Sequence, residues 1–525
     1  MKRRKFLKIT TQGAGLAFLG SVTTFKLNAR PQRMPDRKTN ILYIMVDQQQ
    51  WGTIANRSEC RTPNINRLTQ EGILFNRAYT PSAVCCPARA MLLTGAYHWH
   101  NGVFNQVHSA PSVHRDMFPN VVTYSQRMKE AGYRLGYVGK WHASFTRTPL
   151  DFGFDEIAAP RSYNKKLLKG LKIVDEGKPR QKGKRIPVRN FQWPGSQPFP
   201  MWGYDESPED DTQMFHIAES GINMIQRFSQ GDKPWHIEIH FPQPHDPYMP
   251  LREYRQRYDA TSIPVPRSFY DTFEGKPGMH RRESESWGKV TEEDYQESRA
   301  FYYAYCEQLD AQIGRILDAL DKTGYSERTM VLLTTDHGDM VGAHRMWIKG
   351  WIPYEECYRI PMVIRWPGII KPGSVSNHLV QLHDIAHTYM DVLDLPTLPF
   401  EDGRSLVPLF ENPNRSDWSD EILCAYYGGE FLYTQRMVIT DRYKYVFNGF
   451  DYDECYDLLE DPQEMHNRVH DPAYREVVDD LRARLYELMN KFEDPFGDVP
   501  IKNSIGQPPN RYGAPRYLPR GKRIG

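Results

Sequence analysis

The sequence predicts an α/β fold: a large mixed, mostly parallel sheet flanked by helices, followed by a smaller C-terminal α+β domain. Three observations carry that expectation. Four apolar runs stop abruptly at polar residues: NILYIMVD at Asp47, YRLGYVGKWH at Lys140 and His142, WHIEIHFPQPHDP at His245, and TMVLLTTDHGD at Asp336 and His337. Such runs read as strands buried on both faces, as in a parallel sheet. Helical patterns lie between them; over residues 302–320, Tyr302, Leu309, Ile313, Ile316, Leu317 and Leu320 make one apolar stripe, and Gly324 supplies a stop. From residue 412 the texture changes to short strands such as QRMVITDRYKYVFNG, then a charged amphipathic helix over 473–492.

The chain opens on MKRRKFLKITTQGAGLAFLG, where Arg3 and Arg4 precede a short, mildly apolar run. This resembles a twin-arginine export signal, read over residues 1–29 with cleavage near Leu27-Asn28-Ala29. The run is too short to cross a bilayer and no later segment is long and apolar enough, so no stable membrane span is expected. A polar linker over 30–39 leads into the first strand, and Thr62 with Pro63 reads as the cap and first residue of a helix. The polar, proline-rich stretch 165–203 reads as a long insertion loop near a cleft mouth. The expected organisation is a main domain over 38–411, a smaller one over 412–497 and a basic, Pro/Gly-rich tail over 498–525.

Composition excludes one class of partner. Lys and Arg number 67 against 65 for Asp and Glu, a balance of +2, which gives no field for nucleic acid. The 31 Tyr and 11 Trp supply planes that suit a carbohydrate surface as well as a core. The seven cysteines, Cys60, Cys85, Cys86, Cys306, Cys357, Cys424 and Cys455, are scattered and odd in number, so no disulfide framework is expected.

Two of those cysteines stand side by side in AVCCPARAMLLTG. Neighbouring residues lack disulfide geometry. Pro87 reads as the first residue of a helix, placing Cys85 just before its N-terminus and Arg89 about one turn in. Free N–H groups and a guanidinium favour an anion there and acidify a thiol. Two buried structural cysteines, or an ordinary thiol nucleophile, are the alternatives on these residues alone. Open parallel sheets bind ligands beyond the carboxyl ends of their strands, so the strand-end residues are expected to share one cleft. Asp47, Gln48 and Asp336 offer hard oxygens and His337 a nitrogen, a set that suits a divalent cation.

Cys85-Cys86-Pro87-Ala88-Arg89, followed by Leu93-Thr94-Gly95, resembles the Cys-x-Pro-x-Arg signature of the type I sulfatases of the alkaline-phosphatase-like superfamily. GKWH at 139–142, DHGDMVGAHRMWIKG with Lys349, and then EDGRSL, DRYKY and YDLLEDPQEMHN are similar to that family's landmarks in their order, over roughly residues 38–495. The resemblance implies that Cys85 is oxidised to formylglycine (3-oxoalanine), whose hydrate is the nucleophile. It implies one divalent metal held by Asp47, Gln48, residue 85, Asp336 and His337, calcium first, with manganese or magnesium as alternatives. It gives Arg89, Lys140 and Lys349 the sulfate oxygens, His245 beside Lys349 the departing alcohol, and His142 the proton whose removal expels sulfate. His240 and His344 lie near these motifs, and His344 is a further candidate to touch substrate.

Three positions depart from the pattern. Ala88 stands where Ser is commoner, Gln48 where many members have Asp, and His337 where they have Asn. The last two resemble choline sulfatases and phosphonate monoester hydrolases. The implied protein is a periplasmic sulfatase acting on a sulfated carbohydrate, such as the algal polysaccharide ulvan or a glycosaminoglycan. Its implied partners are a formylglycine-generating maturation enzyme and the twin-arginine export machinery. A choline sulfatase or phosphonate or phosphate monoester hydrolase is the alternative, and an inactive glycan-binding relative the third reading.

Overall fold

The computed structural model describes residues 39–498 apart from 110–111, 172, 176–183, 194–195, 350–351, 430–432 and 450. The expected export signal, and the expected tail beyond its first residue, lie outside the described residues. Strands are numbered along the chain: β1 Asn40–Asp47, β2 Ile73–Tyr79, β3 Arg134–Lys140, β4 Glu156–Arg161, β5 Arg185–Phe191, β6 Phe199–Asp205, β7 Trp235–Pro244 and β8 Thr329–Thr335. There follow β9 Arg359–Ile360, β10 Met362–Arg365, β11 Ser374–Gln381, β12 Glu421–Tyr426, β13 Gln435–Thr440, β14 Tyr443–Phe447 and β15 Glu454–Asp457.

The main sheet has nine strands in the order β11-β2-β10-β8-β1-β7-β3-β4, with β9 paired on β2. The pairs β1–β7, β1–β8, β3–β7, β3–β4 and β2–β11 are parallel, while β10 and β9 run against their neighbours. The expected fold class holds. Every residue of β1 is buried, because each face of this central strand meets its own core. Leu42, Ile44 and Val46 pack with helices Gln213–Phe228 and Glu292–Lys322; Ile41, Tyr43 and Met45 pack with helices Cys85–Thr94 and Asp384–Val392. Burial on both faces is why the run has no polar gap.

The apolar stripe at 302–320 lies in a helix that starts earlier, at Glu292. Its first two residues, Glu292 and Glu293, are exposed and lie outside the stripe, and Thr291 and Asp294 form a capping box that fixes the start. The expected insertion loop is in part a hairpin: β5 and β6 pair antiparallel, and Phe191, Met201 and Trp202 join the core. Its register shifts between Pro187 and Arg189, where a proline without an N–H interrupts the ladder. Four antiparallel strands, β12-β13-β14-β15, form the C-terminal sheet. Helix Arg475–Lys491 covers it through Val478, Leu481, Leu485 and Leu488, in a cluster that also takes Met91, Tyr97 and Trp99. The smaller sheet is thereby packed behind the helix that starts at Cys85.

Candidate active site

Strand register assembles the site. Val46 of β1 stands level with Thr335 of β8, and Met45 and Gly139 both stand level with His240 of β7, so Asp47, Lys140 and Asp336 emerge at one edge. Gly139 has φ +93°, and a Cβ there would lie 2.0 Å from the His240 carbonyl oxygen, which is why the residue before Lys140 has no side chain. Helix Cys85–Thr94 begins at Cys85 with Val84 as its cap, not at Pro87 as expected. Pro87 is third in the helix, where the N–H has no intrahelical partner in any case. All ten residues are buried, and Gly95 closes the helix in the left-handed region with its N–H on the Met91 carbonyl.

At the helix start, Cys85 Sγ lies 3.2 Å from His337 Nε2 and 3.9 Å from Asp47 Oδ1. One ligand atom each from Asp47, Cys85, Asp336 and His337 lies within 4.8 Å of the others, all four residues buried. Cations hold the outer carboxylate oxygens: Arg89 Nε donates to Asp336 Oδ2 at 2.9 Å and Nη2 to Asp47 Oδ2 at 3.2 Å, and Lys140 Nζ donates to the same Asp47 oxygen. The inner oxygens face the cluster, with Asp336 Oδ1 3.7 Å and Asp47 Oδ1 4.0 Å from His337 Nε2. His337 Nδ1 is 2.9 Å from the Gly338 carbonyl, which can only accept. That bond puts the proton on Nδ1 and turns the Nε2 lone pair toward the carboxylates. Two carboxylate oxygens, one imidazole lone pair and the side chain at 85 thus fit a divalent cation.

The two cysteines differ electrostatically. Burial would raise the Cys85 thiol, but the ammonium groups of Lys140 and Lys349 hold it well below its ordinary value. Burial and the neighbouring Cys85 push Cys86 up to about 12. Burial likewise opposes ionisation of Asp47, yet Lys140 and Arg89 bring it down to about 2. The Gln48 amide nitrogen donates to Asp246 Oδ1 at 3.0 Å and Asp339 Oδ2 at 2.6 Å, and its oxygen accepts from Lys349 Nζ at 2.7 Å.

Lys349 Nζ also reaches His245 Nε2 at 2.5 Å, and His245 Nδ1 faces the carbonyl and carboxylate of Asp246 at 2.9 and 3.1 Å. Burial depresses His245, but Asp246 outweighs it and lifts the imidazole to about 10. The bond between two nitrogens requires one of them to lack its proton, so His245 and Lys349 share a single acidic proton there. Burial and Lys140 bring His142 down to about 3, so it stands neutral. Its ring stacks on His108 at 4.5 Å. Gln48 and His142 both have positive φ, +66° and +58°, in the left-handed region that side chains with a Cβ seldom occupy.

Of the ten sequence-predicted site residues, Cys85, Lys140, His142, His245 and Lys349 line a cavity of about 1170 Å³. Asp47, Gln48, Arg89, Asp336 and His337 are buried and are not among its lining residues. His344 does not reach it; its Nδ1 bonds Asp271 at 2.7 Å and its ring stacks on Tyr354 at 3.8 Å, inside a separate buried network. His240 supports Arg89, its Nδ1 3.1 Å from Nη1. Sequence reasoning passed over Asp246, though its position next to His245 was a signal, and His108, for which the sequence offers none.

A family model described as sulfatase matches residues 39–395, and one described as N-sulphoglucosamine sulphohydrolase, C-terminal, matches 342–491. An uncharacterised sulfatase of Escherichia coli is 29% identical over 482 residues, covering 88% of this chain and 89% of that protein. An N-acetylglucosamine-6-O-sulfatase of Bacteroides thetaiotaomicron is 24% identical over 538 residues, 89% of each. A solved structure in complex with its substrate D-glucosamine-2-N,6-O-disulfate superposes with TM-score 0.70 at 23% identity, over 88% of this chain and 100% of the other, a likeness of fold.

Proposed function

The chain belongs to the sulfatase family and is a sulfuric ester hydrolase, and on that premise we propose that it is exported and removes sulfate from a carbohydrate, using residue 85 as formylglycine. The observation that carries this reading is the cluster of Asp47, Asp336, His337 and an acidified Cys85 at the floor of a 1170 Å³ cavity. A cavity above the ~300–1,000 Å³ typical of small-ligand sites suits a saccharide better than an ester as compact as choline sulfate. Oxidised to the aldehyde, residue 85 would supply as its hydrate a hydroxyl nucleophile toward sulfur. A divalent cation held by Asp47, Asp336 and His337, calcium or else manganese or magnesium, would neutralise charge on the sulfate oxygens.

The remaining steps fall to the chain's own side chains. Arg89 ties both carboxylates by their outer oxygens and so fixes the direction of the inner ones. Lys140 and Lys349 put positive charge at the cavity floor, where a sulfate monoester gathers negative charge as its S–O bond breaks. The proton shared by His245 and Lys349 goes to the departing alcohol oxygen. His142, neutral beside residue 85, takes the proton of the second hydroxyl as sulfate leaves. Because Cys85 is 1% exposed, the maturation enzyme must reach it before the fold closes, which precedes export by a twin-arginine route.

The test is sulfate release from sulfated saccharides, choline sulfate and an aryl phosphonate at equal concentration. The expected order puts a sulfated saccharide first by about tenfold or more in kcat/KM. Faster turnover of choline sulfate or the phosphonate contradicts the carbohydrate reading.

A further inference from the structure

The cavity lining carries charge that the chemistry at residue 85 does not use. Helix Gly278–Ser286 turns Met279, Arg282, Glu283 and Ser286 toward the cavity, the i, i+3, i+4, i+7 face of one helix. Arg281, one position away, is turned elsewhere and donates to the Thr272 carbonyl at 3.2 Å. Arg185, at the start of β5, lines the same cavity, as does Trp193 just past the end of that strand. Both cavity arginines are exposed.

Their lack of partners sets them apart from their neighbours. Arg189, Arg252 and Arg257 are each tied to a carboxylate, Asp294 at 3.2 Å, Glu206 at 2.7 Å and Glu307 at 2.6 Å. Among the described residues, the side chains of Arg185 and Arg282 make no hydrogen bond or ion pair, the charge of Arg185 acting only on the nearby Tyr305, which lines the same cavity. Asp205 stands across the hairpin from Arg185, but its Oδ1 accepts from the backbone and hydroxyl of Ser207. Glu283, beside Arg282, accepts from Trp287 Nε1 at 3.1 Å.

We propose that Arg185 and Arg282 form a subsite for a second anionic group of the substrate, apart from the sulfate that is cleaved. The preferred substrate is then a saccharide that carries a carboxylate or a further sulfate. The inference rests on the reading of the protein as a carbohydrate sulfatase. A guanidinium fork takes either group in two parallel hydrogen bonds. Trp193 adds an aromatic plane on which a sugar ring can lie. The floor cations cannot serve both ends, since Lys140 is held by Asp47 and Lys349 by Gln48 and His245.

The experiment uses the full-length protein and four esters: para-nitrophenyl sulfate, a neutral monosulfated disaccharide, its uronate-containing counterpart, and the neutral disaccharide with a second sulfate. Wild type should prefer one of the two charged disaccharides over the neutral one, and the arm that gains identifies the anion. Arg185→Gln and Arg282→Gln should each lower kcat/KM for that substrate by roughly 5–30-fold, mostly through KM, as for a lost charge-assisted bond. Both variants should leave para-nitrophenyl sulfate unchanged, which also reports that they fold. Equal kcat/KM on neutral and charged disaccharides, or variants that slow every ester alike, overturns the subsite and leaves the carbohydrate reading intact. Hydrolysis of para-nitrophenyl sulfate with no disaccharide turned over overturns both.

Discussion

Arg89 and Arg436 are both 2% exposed, and each grips carboxylates, yet they do opposite things. Arg436 binds both oxygens of Asp494, and its other N–H groups go to Tyr427 Oη, Thr434 Oγ1 at 2.8 Å and the Gln435 carbonyl at 2.9 Å. The rings of Tyr427, Phe496 and Trp99 cover it at 4.4, 4.7 and 5.7 Å. All five guanidinium N–H groups of Arg436 are thereby engaged. Arg89 takes only the outer oxygens of Asp47 and Asp336, and the inner ones face an imidazole lone pair and an acidified thiol under a cavity. Burial of charge therefore does not mark a site; unspent donor and acceptor capacity on the partners does.

That contrast is open to attack at several points. Cys85→Ala should lower turnover by roughly 10³–10⁶-fold, the scale of losing a nucleophile; steady-state sulfate release measures it, and retained activity would move the nucleophile elsewhere. Lys349→Ala should cost about 10²–10⁴-fold in kcat, the range of general-acid assistance, with circular dichroism confirming that the fold persists. Arg436→Met should instead cost stability, about 3–5 kcal/mol by urea unfolding, because it strands a buried Asp494. Its activity per folded molecule should match wild type. A comparable loss from Arg436→Met and Lys349→Ala would erase the distinction between the two regions. Smallest of all, Cys86→Ala should keep turnover within about tenfold, since its thiol is held protonated by burial.

Much of this was legible from residues alone, for a definable reason. Buried parallel strands write themselves as apolar runs, and their ends write themselves as the polar residues that follow, so Asp47, Lys140, Asp336 and His337 could be placed together before any coordinate. Cys85 could be separated from Cys86 only through a resemblance; the physical difference, two nearby ammonium groups, comes from Lys140 and Lys349 on distant segments. Helix periodicity cannot say that Cys85 rather than Pro87 starts its helix, because the cap at Val84 uses only backbone groups. The hairpin β5–β6 looks like a loop in sequence because its prolines obscure the alternation, while Phe191, Met201 and Trp202 hold it to the core. His344, a candidate only by its nearness to Lys349 in sequence, is kept from the site by its backbone, which turns through φ +53° and carries the ring toward Asp271.

The most direct test is the mass of the peptide that contains Cys85, taken from purified, active protein. Conversion of the thiol to an aldehyde removes one sulfur and two hydrogens and adds one oxygen, and the product should couple to a hydrazide. The account predicts that altered mass at position 85, with Cys86 on the same peptide unchanged. An unmodified thiol at 85 in protein that still releases sulfate would contradict it.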